Sequence, residues 1–547
     1  MWKPLASMLL LTLAGGCEQP QVEARIETQI ETASRPFTGD NDEFRRETVA
    51  FVRAVASGEP SPVCGLPPIS TPLQAVVSLY GGGKLLGRGI SSQDALCPAL
   101  HEATLAAIDG KEARENVEQA RFVVELTRHG YGMVEVEGGV VELIDGHVPV
   151  RSLDKQLLRR RIDEGRAYLL RVMDPGLGGV HKYYHAPSDS FDEQLHTIYT
   201  ASTVYTLLML REHDPEGGES LREPIMRGAG FLLEMQRKAP GKPGHGAFHY
   251  SLDRLQRERE PRFVVGTASK TIFSLILLHE LTGDATYMDS ARLAADWLLT
   301  MQRPDGSVQP EANVDAQGRW IVTERESMLY TGQVLSALSR LHRATGEARW
   351  LEAAGRTAQH ILAVIDEQGC YLRDDYRTPN PISSSWAILS LYDYAKASGD
   401  VEVRTRAYAC ADDLISRQID APEDIYRHGR WADSLSSSGS GWLAEVLATL
   451  YLDCPADDAD GCERYRRSVI RLLRLLMQYT YDAENSFVAR NPDMARGGLF
   501  WNSLERDVRT DSVCHAMNAY VFMLDRLPEG PLLELPEAPL ATRIQSP

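Results

Sequence analysis

The sequence predicts a mainly α-helical protein: a ring of six helical hairpins preceded by a small α/β domain. The first observation is repetition. The segments LILLHELTGDATYMDSARLAADWLLTMQRPDG, LSRLHRATGEARWLEAAGRTAQHILAVIDEQG and LSLYDYAKASGDVEVRTRAYACADDLISRQID share one plan, an apolar helix, a turn at Gly283, Gly346 or Gly399, an amphipathic helix and a polar turn. Weaker copies flank these, EQLHTIYTASTVYTLLML returning through FLLEMQ and GSGWLAEVLATLYL returning through VIRLLRLLMQ. The second observation is a final half-repeat, TDSVCHAMNAYVFMLDRL, which pairs with the early helix RRRIDEGRAYLLRVM if the ring is to close. The third is a change of character upstream, where short alternating apolar runs and glycine turns replace helical periodicity.

The chain has 547 residues, 43% of them hydrophobic and 24% charged, with a mean hydropathy of -0.27. That composition supplies a core and excludes both a largely disordered chain and a polytopic membrane protein. With 58 basic against 76 acidic side chains, the net charge is -18. No nucleic-acid partner is expected, because a polyanion is repelled without a local basic patch.

Residues 1–17, MWKPLASMLLLTLAGGC, carry a lysine, an apolar run from Leu5 to Leu13, small residues and then Cys17. The run is too short for a permanent membrane span. It resembles a bacterial lipoprotein signal, with Ala14 where that pattern has Leu, and the resemblance implies lipidation, such as palmitate, on Cys17. The alternative is an ordinary secretory signal cut near Gly16. Either way the chain is expected to leave the cytosol, facing the periplasm or the cell surface, with residues 18–40 as a flexible tether.

Export permits disulfides among the other cysteines, Cys64, Cys97, Cys370, Cys410, Cys454, Cys462 and Cys514, an odd set that leaves at least one unpaired. Cys454 and Cys462 bracket an acidic loop and can close it locally, and Cys64 and Cys97 share the N-terminal region. No cysteine or histidine cluster has zinc spacing, and neither a metal nor another cofactor is expected.

The α/β domain is placed at 41–150: a helix in FRRETVAFVRAVASG, then strands in LQAVVSLY before the Gly81–Gly83 turn, in RFVVELTR and in YGMVEVEGGVVELID. The stretch from PLQAVVSLYGGG to CPALHEATLAAI resembles the α/β domain of the AMME syndrome candidate-gene family. It keeps Gly87 but has Leu86 and Arg88 where that family has Arg and Cys, so the resemblance implies a fold and no site.

Residues 155–530 hold the helical hairpins, with 531–547 as a Pro-rich tail. Six hairpins closed on themselves resemble the (α/α)6 toroid of the six-hairpin glycosidase superfamily, which includes glycoside hydrolases, unsaturated uronyl hydrolases and sugar epimerases. The resemblance implies a cleft where the N-terminal ends of the inner helices converge. MQRPDGSVQP also resembles the Gln-x-x-Asp-Gly turns of terpene cyclases. Their acidic Asp-x-Asp-Asp motif is missing, and packing between repeats is the preferred reading of those turns.

The inner-helix entrances are polar: FDEQLHTIYTAS, VGTASKT, ERESMLYTGQ, PISSSWA, SSSGSGW and VRTDSVCH. Converging helix N-termini suit a sugar carboxylate or polarised hydroxyls. Helical spacing groups Glu193, His196 and Thr200, and Asp192, His196 and Tyr199, with capping as the alternative. Glu326 and Tyr330 lie one turn apart at another entrance. Trp386 and Trp442 are either stacking surfaces for a sugar ring or core aromatics. Arg509, Asp511 and His515 open the last inner helix, where Asp511 would hold the imidazole and Arg509 would clamp a sugar carboxylate. The assignment is therefore Glu193, His196, Glu326, Asp511 and His515 to catalysis, and Tyr199, Tyr330, Trp386, Trp442 and Arg509 to substrate binding. His181, His185, His245 and His249 fall in aromatic-rich loops that border a cleft or simply pack.

The expected function is a membrane-anchored carbohydrate-active enzyme acting on a glycan, a hydrolase using paired carboxylates or an epimerase using His196 and His515. The alternatives are a noncatalytic lipoprotein that binds glycan or an envelope protein, and a terpene-cyclase-like toroid.

Overall fold

The computed structural model describes residues 42–66, 73–128, 141–214, 218–422, 425, 427–434, 436–454, 458–502 and 505–536. Cys17, the 18–40 tether, much of YGMVEVEGG and residues 537–547 lie outside the described residues.

The N-terminal unit contains α1 (Asp42–Ala56), β1 (Leu73–Gly81), β2 (Lys84–Gln93), α2 (Leu96–Ala107), β3 (Arg121–Arg128) and β4 (Val141–Ile144). Its strands form an antiparallel sheet in the order β2-β1-β3-β4. Alternation decides which face is covered: Ala75, Val77 and Leu79 of β1 and Phe122, Val124 and Leu126 of β3 are buried in one cluster with Leu96, Leu100 and Phe51 from the helices. Gly87 permits the close approach of α2, since a Cβ there would come within 1.9 Å of the Ala107 carbonyl oxygen. A Cys64–Cys97 disulfide ties the segment after α1 to α2.

The helical unit opens with β5 (Ser152–Asp154) and α3 (Lys155–Arg171), then runs through α4 (Thr197–His213), α5 (Arg222–Met235), α6 (Val265–Thr282), α7 (Ala285–Met301), α8 (Met328–Thr345), α9 (Ala348–Gln368), α10 (Pro381–Ser398), α11 (Val401–Ser416), α12 (Ser437–Leu452), α13 (Ala459–Gln478) and α14 (Thr510–Leu524). The even-numbered helices form the inner ring, each touching the next, with α14 returning to α4. The odd-numbered helices lie outside, and α3 packs on α14, so the first and last helices complete one hairpin. Inner helices such as α12 are buried nearly all round, whereas outer helices such as α13 bury one stripe.

Local chemistry explains the repeat. Gly283, Gly346 and Gly399 take left-handed φ values of 69°, 71° and 77° as C-caps of α6, α8 and α10, and Asp284 and Asp400 cap the next helices by accepting the Thr286 and Val403 amides. The glutamines at the outer-helix ends stitch neighbours together. Gln236 donates to the Ser290 carbonyl, Gln302 to the Ala353 carbonyl and Gln418 to the Ser468 carbonyl. The Gln-containing turns are thus packing devices.

Short strands decorate the ring's N-terminal rim: β6 (Tyr183–His185), β7 (Ser190–Phe191), β8 (Gln194–His196), β9 (Ser251–Asp253), β10 (Arg262–Val264), β11 (Glu311–Val314), β12 (Trp320–Val322) and β13 (Val508–Arg509). β8, β10 and β13 lead directly into α4, α6 and α14, so their pairing sets where each inner helix begins. The expected Pro-rich tail is corrected at its start: Pro531–Glu534 is a strand, β14, paired antiparallel with β5. That pairing zips the end of the ring to its beginning.

The two units meet at the β1–β2 turn. Tyr80 packs edge-on against Phe487 at 6.0 Å, the Arg121 guanidinium lies 3.8 Å from the same ring centroid, and Arg121 donates to the Glu484 carbonyl at 2.8 Å. Gly83, at φ 72°, lets the turn lie against the toroid, because a Cβ would come within 2.4 Å of the Arg490 carbonyl oxygen. Cys370–Cys410 and Cys454–Cys462 disulfides fasten the α9–α10 and α12–α13 loops. Cys514 is free and buried, its thiol pushed up to about 12 by burial. Among the described residues no helix is long and apolar enough to cross a membrane.

Candidate functional site at the mouth and axis of the ring

The rim strands build the mouth. β13 pairs with β6 in the register Val508↔Tyr184 and Arg509↔Tyr183, and β8 pairs with β9 so that His196 faces Ser251. His196 is therefore in a strand and α4 begins only at Thr197. This corrects the helical spacing expected of Glu193, His196 and Thr200: Glu193 precedes the strand with an exposed side chain. Thr200 donates instead to the His196 carbonyl.

His196 is 8% exposed and packs edge-on against Tyr199 and Tyr250, with ring centroids 5.6 and 5.3 Å away. Its Nδ1 is buried without a partner. Burial, helped by the Lys182 charge, lowers its pKa to about 4, so the ring is neutral at physiological pH. Beside it, Arg262 grips Glu311 while its guanidinium lies 4.7 Å from the Tyr250 ring centroid. Tyr330 lies against Gly266, where a Cβ would come within 2.6 Å of its ring.

Arg509 and Asp511 form an ion pair at 2.8 Å, and Ser438 donates to the same carboxylate at 3.1 Å. Arg509 also lies 5.0 Å from the Trp501 ring centroid. Burial works against its charge, but Asp511, Tyr199 and Tyr183 together outweigh it and hold the guanidinium above its ordinary range. Asp511 does not orient His515, although both lie on α14. The imidazole Nδ1 donates to Glu445 of α12 at 2.6 Å. In the neutral ring this bond places the hydrogen on Nδ1 and leaves the lone pair on Nε2. Burial opposes ionisation of Glu445, yet His515 and Lys270 hold its carboxyl below the usual range.

Two further expectations change. Glu326 precedes the first turn of α8 and accepts a 2.7 Å bond from His360 on the outer helix α9. Its carboxylate is thus engaged by His360 and, at 3.4 Å, by the Thr331 hydroxyl. Trp386 and Trp442 stack on each other at 3.8 Å and are each 3% exposed. Trp442 further donates to Ser385 and meets His515 edge-on at 5.1 Å. Stacked and buried, neither offers an open face to a sugar ring.

His185 joins two rim segments, bonding Asp507 through Nδ1 at 2.7 Å and Asp192 through Nε2 at 3.0 Å. Burial lowers its affinity for a proton, but the two carboxylates outweigh burial and raise it. His181 and His249 bond the backbone carbonyls of Asp192 and Glu260, and His245 accepts from the Ala239 amide. All four loop histidines are thus held in place.

Among the inner helices is a chamber of about 10 Å³, lined by Lys270, Trp442, Glu445, His515 and Asn518 among others, room for about one water-sized group. Sequence reasoning missed Lys270 and Glu445. The available signal was a lone charge inside an apolar inner helix, Lys270 in VGTASKTIFSLILL and Glu445 in GSGWLAEVLATLYL.

The helical unit is an (α/α)6 toroid, six helical hairpins closed into a ring. Solved structures with this fold include a cellobiose 2-epimerase from Bacillus thermoamylovorans, at 13% identity and a TM-score of 0.53 over 68% of this chain and 99% of that one. A D-mannose isomerase matches at 14% identity and 0.52 over 68% and 98%, and a sugar epimerase from a ruminal bacterium at 12% and 0.53 over 69% and 99%. No protein-family model and no curated protein matches the chain.

Proposed function

We propose that this chain is a carbohydrate-active enzyme that moves a proton on a sugar, as an epimerase or isomerase. The observation that carries the reading is the Glu445–His515 pair at the axis of the ring. A carboxylate on Nδ1 fixes the tautomer and leaves Nε2 as a base for the C–H next to a sugar carbonyl. His196 leads into the neighbouring helix α4 and is neutral; as the second group it would give its N–H proton to the carbon from another direction and be reprotonated from solvent. Hydrolysis is favoured less, because the expected carboxylates do not face one another: Glu193 is on the surface, Glu326 bonds His360 and Asp511 bonds Arg509. The sugar epimerases and the isomerase that share the fold support a carbohydrate-active enzyme.

The test is incubation of the full chain in heavy water with neutral and acidic reducing sugars and with their glycosides. Deuterium uptake at the carbon beside the carbonyl, without cleavage and abolished in His515→Ala, is expected. Glycoside cleavage without uptake makes the protein a hydrolase, and ligand binding with neither makes it a glycan-binding lipoprotein. Either result overturns the reading.

The proposal extends to location: an exported, membrane-anchored lipoprotein held through Cys17. The LAGGC sequence supports it, and the three disulfides among the described residues are consistent with an oxidising compartment.

A further inference from the structure

Lys270 is the unexplained charge of the axial chamber. It lies in the second turn of α6, among residues that are almost all apolar or small. Its ammonium is 4.8 Å from the Trp386 ring centroid and 4.7 Å from that of Trp442. Those rings stack 3.8 Å apart at 14°. A point equidistant from two stacked centroids lies beside the stack, at the ring edges, and ring edges carry positive partial charge. The tryptophans therefore give this ammonium little of the attraction that a ring face would give. Among the described residues no carboxylate bonds it, and Glu445 acts on it only through space. Burial pulls its pKa below the ordinary lysine range. The neighbouring Arg340 is matched by Asp393 at 2.8 Å, and the Cys514 thiol is uncharged.

We propose that Lys270 is the oxyanion-binding group of this site, its ammonium receiving an anionic oxygen of the sugar in the chamber it shares with His515. The assignment rests on the proton-transfer reading above, and charge balance supports it. Before reaction, Lys270 and Glu445 offset each other through space. When His515 Nε2 takes the proton, the C–H electron pair becomes the carbon–carbon double bond of the enediolate and the carbonyl π pair moves onto oxygen. The imidazolium is then matched by Glu445 and the oxyanion by Lys270. Each charge created has a partner already in place, which is how fixed groups lower such a barrier. A chamber of about 10 Å³ takes the oxygen end of the carbonyl group, with the rest of the sugar outside it. The same oxygen chemistry could come from a substrate carboxylate, and the experiment separates the two sources.

The full chain and its Lys270→Met and Lys270→Arg variants are compared in heavy-water exchange, and by calorimetry with an aldonate and with the matching uncharged alditol. Exchange is expected to fall about a hundredfold or more in kcat for Lys270→Met, with KM little changed and partial recovery in Lys270→Arg. The native chain is expected to bind the aldonate more tightly than the alditol, a preference that Lys270→Met erases. If the native chain exchanges no sugar yet prefers the aldonate through Lys270, the reaction assignment fails and the oxygen-binding role stands for a ligand carboxylate. If the native chain shows no preference for the aldonate, or Lys270→Met keeps both that preference and its exchange rate, the proposal is wrong.

Discussion

Glu445 and His515 come from neighbouring inner helices, 70 positions apart in sequence, and meet at 2.6 Å. Glu445→Gln tests what that bond does. An amide can present its NH2 to Nδ1 and favour the opposite tautomer, leaving Nε2 protonated and unable to act as a base. Exchange in heavy water should fall by about two to four orders of magnitude while substrate affinity changes little. A Glu445→Gln protein with the native rate would remove the pair from the mechanism.

Glu326 should matter to stability and little to turnover. The Glu326 bond raises the pKa of His360 above its ordinary 6.5 despite burial. A raised folded pKa means that the pair's contribution is fully present below the unfolded value near 6.5 and disappears as pH rises through the folded value. Glu326→Gln should therefore cost about 1 kcal/mol in unfolding experiments near pH 5.5, and much less at about pH 8.5. Its exchange rate should stay within about threefold of native; a collapse of turnover without loss of stability would return Glu326 to the active groups.

The disulfides should differ in what they contribute. Cys370–Cys410 closes a separation of 40 residues and Cys454–Cys462 one of 8. Chain-entropy arithmetic gives about 4 and about 2.5 kcal/mol respectively. Serine pairs replacing each, compared by denaturant unfolding, should rank in that order; equal losses would assign the stabilisation to native contacts.

Gly83 governs the junction between the two units. Gly83→Ala places a Cβ against the Arg490 carbonyl oxygen at a left-handed φ, a cost of about 1–3 kcal/mol if the turn stays docked. The expected result is faster amide hydrogen exchange around Tyr80 and in the 484–490 loop with α6, α8 and α10 unchanged. Exchange that is unaltered at the junction would mean that the turn tolerates the contact.

Anchoring is tested at one atom. Cys17→Ser removes the sulfur that would carry the lipid, and the variant should move from the detergent-extracted to the soluble fraction. Continued fractionation with membranes would exclude Cys17 as the anchor.

The sequence by itself determined the architecture. Its helices repeat with glycine C-caps at Gly283, Gly346 and Gly399, and these are local signals: a left-handed cap and a 3.6-residue apolar period need only neighbouring residues. The pairing of the last helix with the first was legible as well, because an unpaired half-repeat at each end has a single geometric solution. The site was legible only as a set of polar entrances. Spacing placed Asp511 and His515 on one face of one helix, but the imidazole turned to Glu445 across the ring, a choice set by the packing of α12 against α14. Glu326 turned outward to His360, and Trp386 and Trp442 turned to each other. Lys270 was visible only as a single charge in an apolar helix. Which partner each of these side chains takes depends on groups more than thirty positions away, and only tertiary packing brings those groups within reach.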